Sequence, residues 1–379
     1  MSLTNILNTI SRCDVIADFN LNSLEGQSIM GRRDEIKLMA IPFFKNILTP
    51  QIPDPDWMIA LESYGLKPNP ILDQDVKIEG AIRATMTPQF QEGDPFFDLS
   101  QETFDELYSK EFLYFSPHGL NVPQAVRGDQ YKDGHQFSDG FLIRKSKSAQ
   151  GSGIKLVKDL ESLEEDLISK SDIIVEYYPQ FRVQKNIEVI MSYQDGVAQI
   201  LGITEVISKN FKKIGSKSTQ LSDEQLNKLQ DEISKIEKLL KLKAVKKLHF
   251  GLDAFFIHDQ SEGGKLVIYD FNPCITQGFF PIIAKSFLEN TWGPNFNYEV
   301  RAFSIFSKST APLPFDWTNA FPLFISKHNE KGALFTRYIV IALFPYLTKN
   351  DSQSPGLLWA ENLKAHPSKL LHLYTAIHY

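Results

Sequence analysis

Cysteine is scarce: Cys13 and Cys274 are the 2 in 379 residues, too few for a disulfide framework and the mark of a reducing compartment. Long apolar runs are missing as well. The longest, 338–347, falls short of the roughly 20 residues a membrane-spanning helix needs and reads as a core strand or helix. No basic segment followed by an apolar one opens the sequence, so no secretory signal is expected, and the expected location is the cytoplasm. Basic charge is not in excess: 46 acidic against 40 basic side chains give a net −6 and a pI near 5.8. That balance argues against a dedicated nucleic-acid binder, and neither a nucleic acid nor a membrane is expected as partner. Internal repeats and low-complexity segments do not stand out. What is present is the 42% apolar and 23% charged content of a globular protein, in a chain long enough for about two or three domains.

Residues 1–105 alternate short apolar pieces with turn-formers. Asp14-Val15-Ile16-Ala17-Asp18-Phe19 predicts a strand and 33–44 a helix, followed by a region punctuated by Pro50, Pro53, Pro55, Pro68 and Pro70. A helix is predicted from Ser100, then a polar stretch over 127–140 and a strand, Phe141-Leu142-Ile143-Arg144. The loop Lys145-Ser146-Lys147-Ser148-Ala149-Gln150-Gly151-Ser152-Gly153 and the strand at 154–157 make a flap whose backbone N–H groups suit phosphate oxygens; a solvated hairpin is the plainer reading. Apolar residues at 160, 163 and 167 predict a helix, and Ile173-Ile174-Val175-Glu176-Tyr177-Tyr178 a buried strand ending at Pro179. Strands at 187–192 and 197–204 flank an Asp195-Gly196 turn, and 211–218 reads as a lysine-rich loop. Ser222-Asp223-Glu224-Gln225 opens a capping box, and Leu226, Leu229, Ile233, Ile236 and Leu240 carry an amphipathic helix.

The chemistry concentrates just beyond. The strand Lys265-Leu266-Val267-Ile268-Tyr269 delivers Asp270, with Asn272 two positions on and therefore on the same face. Asp253 lies in a second strand-like run, 252–257, joined to the first by Asp259-Gln260-Ser261-Glu262-Gly263-Gly264. Three oxygen ligands on one hairpin face suit a hard cation such as Mg2+. Two turn-capping aspartates are the structural alternative on these residues alone.

The order of these parts over about 105–290 resembles the ATP-grasp family: a lysine before a Gly-x-x-x-Pro turn (Lys110, Gly119, Pro123), a strand entering a small-residue loop, a helix, a strand with Glu, two antiparallel strands, a long helix and a metal-bearing hairpin. The resemblance implies an α+β/α/β chain with an ATP-grasp fold of two α+β subdomains holding ATP between them, preceded by a small α/β pre-ATP-grasp domain. The divisions expected are 1–105, 106–178 with the phosphate lid, 179–290 with the metal site, and a C-terminal extension over 291–379. It further implies that Lys110 contacts phosphate and that Arg144 or Lys145 takes the place of the second family lysine. Gln150, Gly151, Ser152 and Gly153 would cover the phosphates, Glu176, Tyr177 and Tyr178 would read the adenine, and Glu188 would face the ribose unless it is a surface glutamate. Because Pro179 cannot donate, the Tyr178 N–H is the expected adenine donor. Asp253, Asp270 and Asn272 match the metal ligands, for two Mg2+ with Mn2+ as an alternative. Many members carry an arginine where Gly251 or Cys274 stands here; Arg182 or Arg301 would have to supply that charge, and Arg301 joins Arg144 and Lys145 as the expected catalytic residues.

The activity implied is an ATP- and Mg2+-dependent ligase joining a carboxylate to an amine through an acyl phosphate, with small-molecule or peptide substrates and a homodimer as one state. Thr276-Gln277-Gly278 would cradle the carboxylate. Two other readings stand beside it. One is a kinase of a polyol or inositol-phosphate hydroxyl, using Lys209, Lys212, Lys213 and Lys217; the other is a catalytically weak nucleotide-binding protein.

Overall fold

The computed structural model describes residues 97–345 apart from 116–118, 132–136, 138, 147–153, 159–167, 210–211, 260–262, 275, 277, 293–297, 308–319 and 331–332, and four short strands before them. Gln150, Gly151, Ser152 and Gly153 of the expected lid, the helix expected over 33–44, and all but Ile168 of the helix expected over 159–168 lie outside the described residues. In chain order come β1 (Asp14–Ile16), β2 (Asn46–Thr49), β3 (Pro70–Leu72), β4 (Ile82–Arg83), α1 (Gln101–Tyr108), α2 (Lys110–Phe115), β5 (Ala125–Arg127), β6 (Phe141–Lys145), β7 (Lys155–Val157) and β8 (Asp172–Glu176). A 3-10 turn (Gln180–Arg182) leads into β9 (Val183–Gln194), β10 (Val197–Lys209), β11 (Lys212–Ser218), α3 (Asp223–Leu242), β12 (Lys247–Ile257) and β13 (Lys265–Asn272). The last elements are α4 (Phe279–Trp292), β14 (Tyr298–Ser307), β15 (Ala320–Glu330) and β16 (Ala333–Pro345).

The chain divides into two compact units, the first of Met1–Asp98, Ile214–Ser218 and Gln277–Tyr379, the second of Leu99–Lys213 and Thr219–Thr276. The first holds a parallel sheet in the order β3-β2-β1-β4, and β14 pairs antiparallel with both β11 and β16, whose other neighbour is β15. Of the run 338–347, residues 338–345 fall in β16 and are strand, and 346–347 lie outside the described residues. The 211–218 segment is not a loop: β11 begins at Lys212, and Gly215, Ser216 and Lys217 pair with Phe303, Ala302 and Arg301. Sheet pairing overrides the weak strand preference of lysine and glycine there.

The second unit holds two antiparallel sheets, β5-β8-β6-β7 and β13-β12-β9-β10. Phe141, Ile143 and Ile174 make the core of the smaller sheet, with Val126, Tyr131, Phe137, Val157 and Ile168 packed on it. The β9–β10 hairpin closes at Asp195 (φ 51°) and Gly196 (φ 94°), two left-handed residues as a two-residue primed turn requires. Helix α3 starts at the capping box, with Ser222 and Gln225 exchanging hydrogen bonds, and buries Leu229, Ile233, Ile236 and Leu240. It ends in a Schellman turn: Ala244 and Val245 N–H donate to the carbonyls of Lys241 and Leu240. Helix α1 is capped by Ser100, as its sequence predicts, and buries Phe104 and Leu107. Phe250 stacks on Phe271 at 5.1 Å, and Phe112 meets the same ring edge-on at 5.9 Å, which ties α2 to β12 and β13. That packing fixes where Lys110, at the start of α2, can reach.

Candidate nucleotide and metal site

The acidic hairpin is β12–β13, and its register sets the site. Asp253 pairs with Asp270 and Gly251 with Asn272, after which the register shifts so that Ala254 pairs with Ile268. The extra residue, Tyr269, is a β-bulge. A bulge changes side-chain parity, so Asp270 and Asn272 join Asp253, Phe255 and Tyr269 on one face. Asn272 Nδ2 donates to Asp253 Oδ2 at 2.9 Å, which leaves its carbonyl oxygen as a ligand end. The turn-cap alternative does not describe these groups, since the three side chains sit side by side across paired strands.

On the other side of β12, Asp253 pairs with Glu188 of β9. Glu188 is 1% exposed and ion-paired with Lys213, so it is not a surface glutamate. Burial, then the charge of Glu188, raises the Asp253 carboxyl to about 7. A row of Glu188, Asp253 and Asp270 thus crosses three strands, balanced by Lys213 at one end and by Lys110 and Arg144 at the other. Lys110, 5% exposed in its side chain, is ion-paired with Asp270 Oδ1, and Arg144 Nη2 lies 3.4 Å from Asp270 Oδ2.

Arg144 does more than meet one carboxylate. Its Nη1 donates to the Tyr114 hydroxyl oxygen at 2.7 Å and to the Tyr269 carbonyl at 3.0 Å, and the Tyr114 hydroxyl donates to the same carbonyl at 2.7 Å. That carbonyl belongs to the bulged residue. Arg144 and Tyr114 therefore hold the distortion that presents Asp270, a task for a planar fork that an ammonium cannot reproduce. Burial opposes the charge of Arg144, but Tyr114 and Asp270 outweigh it and raise its pKa; burial pushes the Tyr114 hydroxyl up to about 12. Lys145, next along β6, is exposed, so Arg144 is the residue that joins Lys110 on Asp270. Tyr114 and the Tyr269 bulge are the members of this network that motif reading missed, because neither has a motif of its own; Lys213, which the sequence offered as part of a substrate cluster, is paired with Glu188 instead.

The hinge after β8 is close by. Glu176 N–H donates to Gln124 and Tyr177 N–H to Gly140, and Pro179 has no N–H. Among the described residues, the Tyr178 N–H is thus the hinge donor with no backbone partner. The Tyr178 ring packs on Phe255 (5.3 Å), which in turn stacks on Tyr269 (5.0 Å). Tyr178 donates its hydroxyl to Glu176 Oε2 at 2.7 Å, while Arg182 lies over its ring and pairs with Asp139. Arg182 is therefore engaged at the hinge. Arg301 belongs to the first unit, where it pairs with Glu299 and sits opposite Lys217.

At the other end of β12, Gly251 is a close-approach glycine: a Cβ there would stand 2.7 Å from Thr276 Cγ2 and 2.9 Å from its Oγ1. An arginine at 251 has no room, because Thr276 fills the space. Cys274 is half-buried. The donor set fits Mg2+ chemically: two carboxylates and an amide oxygen, with phosphate oxygens left to complete the shell. Among the described residues no group of three or more His, Cys, Asp or Glu side chains is gathered as a metal cage, and none of the helices is long and apolar enough to cross a membrane.

No protein-family model matches the chain, and no curated protein does. Solved structures do match its fold. A phosphoribosylamine–glycine ligase from Thermotoga maritima aligns over 89% of this chain and 93% of its own at TM-score 0.57 and 12% identity. An N5-carboxyaminoimidazole ribonucleotide synthetase in complex with ADP aligns over 88% and 94% at TM-score 0.51 and 13% identity. A biotin carboxylase from Campylobacter jejuni, complexed with a β-γ-ATP compound, aligns over 87% of each chain at TM-score 0.50 and 10% identity. With its mixed helices and antiparallel sheets, the chain has the ATP-grasp fold.

Proposed function

We propose that this chain is an ATP- and Mg2+-dependent ligase that joins a carboxylate to an amine through an acyl phosphate. The observation that carries the reading is the bulge-set face on which Asp253, Asp270 and Asn272 stand together, with Lys110 and Arg144 drawn onto Asp270. Asp253, Asp270 and Asn272 would hold Mg2+, which when bound neutralises charge on the phosphates. Lys110 exchanges its carboxylate partner for a phosphate oxygen as the nucleotide enters. Arg144 keeps the bulge in place while its guanidinium charge lies beside the phosphates. The Tyr178 N–H donates to the base, against the wall of Tyr178, Phe255 and Tyr269, and Glu188 stays paired with Lys213 along the row. Gln150, Gly151, Ser152 and Gly153 are assigned to the lid, and Arg301 to the intermediate formed when the amine displaces phosphate. Substrate selection is assigned to 1–105 and 291–379. The similar structures, a glycine ligase and two nucleotide-complexed enzymes, support the ligase class and the ATP cofactor. The hydroxyl-kinase reading loses a member of its basic cluster, since Lys213 is committed to Glu188.

The test is ADP release over a panel of amino acids and other small carboxylates, each with and without an amine. The reading expects release that requires both partners. Release that needs only a polyol, or none over the panel with nucleotide still bound, would replace it with one of the other two readings.

A further inference from the structure

We propose that the Thr276 hydroxyl is the hydrogen-bond donor to the terminal phosphoryl group of the bound nucleotide, an inference that rests on the nucleotide reading above. Thr276 is 7% exposed, and its Oγ1 is buried with no hydrogen-bond partner among the described residues. A buried hydroxyl without a partner is costly, and here nothing in the packing forces a hydroxyl: valine has the same shape. The side chain that carries it also has a defined place. It sits directly on Gly251, in the space a Cβ at 251 would enter at 2.7 Å. Gly251 alternates with Asp253 and pairs with Asn272, so Thr276 lies on the ligand face, beside the metal-ligand pair.

Strand β12 gives the site a direction. Phe255, against Tyr178 of the hinge, marks the base end; Asp253 marks the metal; Gly251, roofed by Thr276, comes next. At about 3.3 Å per residue, the four steps from Phe255 to Gly251 span about 13 Å, about the reach of an extended nucleoside triphosphate from base to terminal phosphate. Lys110 and Arg144 stand at the Asp270 side of the row, and among the described residues Thr276 is the donor placed at the far end. A neutral hydroxyl there orients the terminal phosphoryl group without adding charge to a site that already carries three cations.

Isothermal titration calorimetry on the full chain with Mg2+ and either the β,γ-imido analogue of ATP or ADP tests this. Thr276→Val is expected to weaken the imido analogue about tenfold or more, the range for a hydrogen bond to a charged group, with ADP binding unchanged and the thermal midpoint at or above that of the parent. Thr276→Ser recovers the analogue's affinity, and Thr276→Ala repeats the selective loss should valine fail to fold. Gly251→Ala, which drives a methyl into the Thr276 side chain, reproduces it as well. Equal binding of both nucleotides by parent and Thr276→Val overturns the proposal, as does an equal loss for both. A parent protein that binds neither nucleotide overturns the nucleotide reading itself, and this proposal with it.

Discussion

Arg144→Lys keeps a positive charge at the site and removes the fork. In the parent, one guanidinium reaches the Tyr114 hydroxyl at 2.7 Å, the Tyr269 carbonyl at 3.0 Å and Asp270 at 3.4 Å. Hydrogen bonds from a charged group contribute about 1.5–3 kcal/mol each. A lysine head recovers one of the two short ones, so the expected loss is about 2–3 kcal/mol. For a domain of this size that lowers the thermal midpoint by about 4–12 °C. Urea unfolding at neutral pH, read by fluorescence and far-ultraviolet circular dichroism, measures it directly. A variant as stable as the parent to within about 0.5 kcal/mol, the spread of ordinary surface changes, would show that the bulge stands without Arg144 and refute the reasoning.

Other outcomes follow from the same geometry. His249 is buried, and burial lowers its pKa from 6.5 to about 3; between these values the unfolded chain binds the proton and the folded chain does not, so stability is full above 6.5 and falls with acid. At pH 5 the loss is about 2 kcal/mol, and urea melts of the parent and His249→Leu at pH 7.5 and 5 should show that share of the acid slope disappear with the imidazole. Ala244 holds φ 54° at the end of α3, where glycine is unstrained; Ala244→Gly should stabilise the chain by about 1 kcal/mol, and a destabilised variant would contradict the assignment. Asp270→Asn leaves Lys110 and Arg144 buried without their carboxylate and should cost about 3–5 kcal/mol, so lost activity in that variant needs a melting curve beside it.

Much of this was legible in the residues. The Asp195-Gly196 turn, the Ser222 capping box and the pairing of Asp270 with Asn272 on one face are local patterns, and each reads directly off neighbouring positions. The bulge at Tyr269 is not local: only the partner strand shows that one residue too many lies opposite Asp253 and Ala254. Glu188 fails for the same reason, since a charge on a strand looks solvated until its neighbours across β12 and β11 are known. Lys212 to Ser218 carries lysine, glycine and serine, which sequence patterns assign to loops; its strand state comes from pairing with β14. Arg144 was visible as a departure from lysine, but its reason, a carbonyl released by the bulge, lies 125 residues away in the chain. The absent arginine at 251 has a steric cause in Thr276 that no spacing along the chain could reveal.

The most direct test of the central claim, that the Asp253–Asp270–Asn272 face holds a metal-bound nucleotide, is Mg2+-dependent binding of the imido analogue to Asp253→Asn, measured calorimetrically at pH 8 beside a thermal melt. Asp253 is buried against Glu188 and raised to about 7, above its unfolded value of 3.8; as pH rises through this window the unfolded chain gives up the proton first, so the native state is penalised and the penalty is complete above 7. Removing that charge should raise the thermal midpoint, by about 1–4 kcal/mol of added stability, while Mg2+-dependent affinity falls by about tenfold or more. A variant that binds the nucleotide with Mg2+ as tightly as the parent would contradict the account.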